Sequence, residues 1–142
     1  MTLKVYLKWA TLLTLGGVLF SGYMSGVRLF SGICAFNEPC PYFLGYPACY
    51  IGFALFVAMS ITSITASINK VRSLQPVKII FAVSLLGILF AGYFVAQELL
   101  SAFTHGTFIF YGLGLPACAY GLVFFIIIFS ISLNTLRSQN EG

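Results

Sequence analysis

Four cysteines, Cys34, Cys40, Cys49 and Cys118, are the side chains of this 142-residue chain best suited to covalent chemistry. Cys34 and Cys40 flank the short segment Ala35-Phe-Asn-Glu-Pro39 and are spaced to close on each other. Cys49 and Cys118 each lie two residues after a proline, in Leu44-Gly-Tyr-Pro-Ala-Cys-Tyr-Ile-Gly52 and Leu113-Gly-Leu-Pro-Ala-Cys-Ala-Tyr-Gly121. Proline favours the first turn of a helix, so this spacing predicts that Cys49 and Cys118 both sit in a first turn. Unpaired N–H groups and the positive end of the helix dipole stabilise a thiolate there, and the thiolate is the attacking species in disulfide exchange. Four cysteines allow three connectivities. Cys34–Cys40 with Cys49–Cys118 is the favoured pairing, with exchange between the two pairs left open. The competing reading makes each cysteine a small apolar packing residue, or the disulfides static staples of the outer loops.

Little else in the chain can react. There are three acidic residues (Glu38, Glu98, Glu141), no Asp, and a single histidine, His105, read as a plain residue of the third loop. A metal site needs several convergent ligands and acid–base catalysis needs a positioned titratable group, so neither is expected. The glycines are spread through apolar stretches and form no phosphate-binding loop. Ser60, Thr62, Ser63 and Thr65 are expected to hydrogen-bond within their own helix.

The elements that position the cysteines follow from composition. Hydrophobic residues make up 60% of the chain and charged residues 7%, against roughly 45–50% and about 25% in soluble domains. Such a chain cannot solvate a globule, and its net charge of +4 is too sparse to track nucleic-acid phosphates. Four stretches reach the roughly 20 apolar residues of a membrane span: Trp9–Leu29, Pro47–Ile68, Val77–Leu99 and Pro116–Leu133. Unbroken runs such as Leu122-Val-Phe-Phe-Ile-Ile-Ile-Phe129 fit lipid-embedded helix rather than the alternating strands of a barrel. The predicted fold is therefore an all-α, four-helix membrane bundle forming a single domain over residues 1–142.

Orientation follows from Lys4, Lys8, Lys70, Arg72, Lys78 and Arg137, six of the seven cations, which fall on one side. That side is read as cytoplasmic, with both termini inside, in a multi-pass protein of the cell membrane. The loops Phe30–Tyr46 and Leu100–Leu115 then face outward with all four cysteines, in an oxidising compartment where disulfides persist. Lys4 and Lys8 ahead of an apolar run resemble a signal-peptide start. The run is too long for that and no A-x-A-like site follows, so it is read as the first span.

The halves of the chain also resemble each other. Gly17-Val-Leu-Phe-Ser-Gly-Tyr23 matches Gly87-Ile-Leu-Phe-Ala-Gly-Tyr93 seventy residues later, and the two cysteine motifs match at sixty-nine. This predicts a tandem two-helix repeat, about residues 9–68 and 77–135, with both copies in one orientation about a pseudo-two-fold axis along the membrane normal. Gly22-x-x-x-Gly26 and Gly92-x-x-x-Ala96 occupy matching positions and are read as a packing face inside the bundle. Arg28 and Glu98 also match, and either pair across the axis or reach separately to the interface.

The run Gly16-Gly-Val-Leu-Phe-Ser-Gly-Tyr-Met-Ser-Gly-Val-Arg-Leu29, the two-cysteine loop and Leu44–Gly52 together resemble bacterial vitamin K epoxide reductase homologues. The resemblance covers roughly Gly16–Phe56 and the position of Cys118. It implies a four-helix membrane core and electron transfer from a secreted or periplasmic thiol partner, through Cys34 and Cys40, to an inner pair and on to a quinone. Where the family has C-x-x-C, this chain has Cys118-Ala-Tyr-Gly121. Either Cys49 takes the place of the missing partner or the fold persists without the chemistry. Aromatics are 17% of the chain and gather outward. They form an interfacial belt, of which Tyr46, Tyr50, Tyr111 and Tyr120 are the candidates to wall a quinone ring. The alternative is a non-enzymatic small four-helix membrane protein, or a subunit of a complex, with structural disulfides. A coupled transporter is disfavoured by the lack of charge deep in the spans.

Overall fold

The computed structural model describes residues 2–31, 42–43, 46–105 and 117–141. Of these, the side chains of Arg28, Ser31, residues 42–43 and 46–49, Glu98, Ser101, Ala102, His105, Ala117 and Cys118 lie outside the description. Four helices account for nearly all of it: α1 (Leu3–Ser31), α2 (Ala48–Ile68), α3 (Gln75–His105) and α4 (Ala117–Glu141). Ahead of α2, β1 (Tyr42–Phe43) and β2 (Tyr46–Pro47) form a two-stranded antiparallel ladder that pairs Tyr42 with Pro47 and Phe43 with Tyr46.

All four helices are long and apolar enough to cross a membrane, and at most 28% of each span is buried inside the bundle. The remainder faces outward and is apolar too: Leu19, Ile61 and Leu89 are each at least 60% exposed. A soluble bundle would carry charge on that face; a face that is apolar all round is what lipid demands. The protein is thus a four-helix bundle of the multi-pass membrane type.

Local chemistry sets the helix ends. At the start of α1, the Tyr6 N–H donates to the Thr2 carbonyl (2.9 Å). Pro76 lies in the first turn of α3, where a missing N–H is harmless. Just past the end of α2, Lys70 takes a left-handed φ of 50°. The Lys70 N–H donates to Ser67 O (3.4 Å) and the Val71 N–H to Ala66 O (3.1 Å), the paired bonds of a Schellman cap. That cap turns the chain into α3 within six residues.

The helices form a ring. α1 packs mainly on α2 and α3 on α4, while α2–α3 and α1–α4 contacts close it. Burial recurs along the chain. Tyr6 and Pro76, Leu7 and Val77, Ala10 and Ile80, Thr14 and Ser84, Gly17 and Gly87, and Met24 and Phe94 are all buried, seventy residues apart. Phe56 and Phe125, Met59 and Ile128, Ser63 and Ser132, and Ala66 and Thr135 are buried sixty-nine apart.

Two expectations need correction. α1 begins six residues before Trp9, and α4 continues eight residues past Leu133. α3 runs through His105, so residues 100–105 are helix and His105 is the last helical residue rather than a loop residue. Hydropathy reports the thickness of the hydrocarbon layer, whereas helices continue into the headgroup region where Lys and polar residues are tolerated.

Candidate functional site

Cys49 and Cys118 are the second residues of α2 and α4, so their backbone occupies the first turn that the proline spacing predicts. Pro47 itself pairs in the ladder just before Ala48 opens α2. Two helical turns along, Phe56 and Phe125 stack on each other with centroids 4.5 Å apart and planes 15° from parallel. Residues seven apart lie on nearly the same face of a helix, about 10 Å along its axis. The backbone at Cys49 and Cys118 therefore occupies the faces of α2 and α4 that meet at this ring pair, at one end of the bundle. Their side chains lie outside the described residues, as do Cys34, Cys40 and Tyr111 entirely and the side chain of Tyr46.

The ring pair is tightly held. A Cβ placed on Gly17 would collide with the Phe56 ring, and one on Gly87 with the Phe125 ring. Phe124 meets Phe56 edge-on at 6.2 Å. Only glycine lets α1 lie this close to Phe56 of α2 and α3 this close to Phe125 of α4. Towards the cysteine end the packing changes. A Cβ on Gly22 would lie 3.2 Å from Phe53, but one on Gly26, Gly52, Gly92 or Gly121 would meet nothing within 4 Å among the described residues. The expected small-residue packing face is thus realised at Gly22; among the described residues Gly26 and Gly92 face open space and Ala96 is exposed.

Two of the candidate tyrosines have described side chains. Tyr120, half-buried, tilts against Phe20 of α1 with centroids 6.0 Å apart. Tyr50 is also half-buried. In the same half of the bundle, Ser25 Oγ is buried with no hydrogen-bond partner among the described residues. The Arg28 and Glu98 side chains lie outside the described residues, and so does any pairing between them.

Away from the cysteines, the core is sealed by hydroxyls. Thr62 donates to Ala58 O (2.8 Å) and Ser63 to Ser60 O (3.2 Å), as the sequence suggests. Ser132 donates its one proton to Ile128 O (2.8 Å), so the 2.8 Å contact with Tyr6 is a bond from the tyrosine hydroxyl to Ser132 Oγ. Thr11 likewise donates to Ser63 Oγ (3.2 Å). α1 thereby hydrogen-bonds both α2 and α4. These contacts, and the glycine notches under Phe56 and Phe125, carry no local sequence signal; only comparison of the halves points to Gly17 and Gly87.

Among the described residues no three His, Cys, Asp or Glu side chains gather into a metal site. Comparison with protein-family models, with curated proteins and with solved structures returned no match.

Proposed function

We propose that the chain is a membrane thiol–disulfide oxidoreductase, similar to the vitamin K epoxide reductase homologues, that passes electrons from outer-face thiols to a quinone. The observation that carries this reading is the stacked Phe56–Phe125 pair, two turns below Cys49 and Cys118. It supports an inner pair made of one cysteine from each half of the chain, replacing a C-x-x-C on a single helix. In the first step a partner dithiol attacks the Cys34–Cys40 disulfide; the partner is oxidised and Cys34 and Cys40 become thiols. These reduce a Cys49–Cys118 disulfide and re-form their own. The Cys49 and Cys118 thiols then give two electrons and two protons to the quinone, re-forming their disulfide, and the quinone leaves as hydroquinone. Tyr46, Tyr50, Tyr111 and Tyr120 would flank the ring.

The same reading takes the two hairpins as a tandem duplication about a pseudo-two-fold axis along the membrane normal. Recurrence of buried positions at seventy and sixty-nine residues supports it. Both termini are then cytoplasmic and the cysteines face outward in the cell membrane.

The test is turnover by the full chain in vesicles containing a quinone and supplied with a dithiol. One hydroquinone should form per disulfide released. Cys49→Ser and Cys118→Ser should each reduce turnover to the uncatalysed background. Cys34→Ser should block a protein donor yet spare a small dithiol that reaches the inner pair directly. Background rates in the wild-type chain with its disulfides intact would leave the cysteines as braces of a non-enzymatic protein.

A further inference from the structure

We infer that the end of the bundle opposite the cysteines is a binding surface for anionic phospholipid headgroups. It goes beyond the redox reading and does not depend on it. Six cations ring this end: Lys4 and Lys8 on α1, Lys70 and Arg72 in the turn after α2, Lys78 in the first turn of α3, and Arg137 near the end of α4. All six are exposed. Their depth is fixed by the core beside them, where Tyr6, Ala66, Val77 and Thr135 are all buried. Each cation lies within a few residues of one of these, so the charges gather at the same end of the bundle. Lys8 and Lys78 are seventy residues apart on α1 and α3, which places one charge on each side of the ring. The one carboxylate with a described side chain at this end is Glu141, the last helical residue.

The occupant follows from charge and depth together. Trp9, 52% exposed, lies beside Lys8, and exposed Trp next to Lys marks the headgroup level of a bilayer. At that level the available counter-charge is the phosphodiester of a lipid, and each nearby Lys or Arg favours an anionic headgroup by about fivefold. Held on several helices, the cations concentrate such lipids around the bundle instead of binding one at a cleft.

Trp9 is the only tryptophan in the chain, so its fluorescence reports on this end alone. The full chain is reconstituted into phosphatidylcholine vesicles containing phosphatidylglycerol, whose negative surface charge attracts basic residues. Either lipid is brominated in turn as a quencher. Brominated phosphatidylglycerol should quench Trp9 several-fold more, per mole fraction, than brominated phosphatidylcholine. The excess should shrink with added salt and fall in the Lys8→Gln, Lys78→Gln variant. Inorganic phosphate should not remove it at matched ionic strength. Equal quenching by the two lipids in the wild-type chain would overturn the proposal, whether or not the variant folds. Loss of the excess on adding phosphate would overturn it in favour of a soluble anion site.

Discussion

At Gly17 and Gly87 one added methyl group meets an aromatic ring, and that contact decides how closely the helices approach. Gly17→Ala and Gly87→Ala are each expected to destabilise the bundle by about 1–3 kcal/mol, the cost of overpacking a core. Gly92→Ala faces open space among the described residues and should gain up to about 1 kcal/mol of helix propensity. Denaturation in mixed detergent micelles, followed by helical circular dichroism, separates the three. The Tyr6–Ser132 bond should show a coupling of about 0.6 kcal/mol, and not more than roughly 1.7, in a Tyr6→Phe and Ser132→Ala double-mutant cycle. Of these contacts the sequence discloses only the local ones. Thr62 and Ser63 bond within their own helix because a hydroxyl reaches the preceding turn in any helix. The Tyr6 and Ser132 residues are 126 apart in the chain, and nothing in either's neighbourhood names the other.

Among the elements, the number and kind of helices were legible because lipid leaves a chain few alternatives. Their lengths were not. α1 has 29 residues and α3 has 31, about 43 and 46 Å of helix, whereas the hydrocarbon layer is about 30 Å thick. The surplus carries Lys4, Lys8 and His105, residues that hydropathy treats as outside a span. The α2–α3 turn makes a prediction of its own. Lys70 holds a left-handed conformation that costs a residue bearing a Cβ about 1 kcal/mol. Lys70→Gly should therefore stabilise the bundle by up to that amount, while Lys70→Val, with its branched Cβ, should destabilise it. The same denaturation measurement reads both changes. The starts of α2 and α4 were read to within one residue from the proline spacing, because proline's fixed φ suits a helix start.

For the whole molecule, the similarity of its halves is the feature that organises the rest. Buried positions recur at the spacing of the sequence match, and the two halves meet ring against ring at Phe56 and Phe125. If the two hairpins are equivalent, Phe56→Ala and Phe125→Ala should cost similar amounts, about 3–5 kcal/mol each. Unfolding of the two variants side by side tests that equivalence. The chemistry was less legible than the architecture, because thiol reactivity depends on which sulfur faces which, and spacing alone leaves three connectivities open. In the proposed function, Cys49 and Cys118 form one redox pair across the two halves. Its most direct test is disulfide mapping of the intact membrane protein, with free thiols alkylated before non-reducing digestion and mass spectrometry. A linked Cys49–Cys118 peptide should be recovered, disappear when a dithiol is supplied without quinone, and return when quinone is added. Recovery of Cys49 and Cys118 as separately alkylated peptides from the oxidised protein, or a linked peptide indifferent to dithiol and quinone, would contradict it.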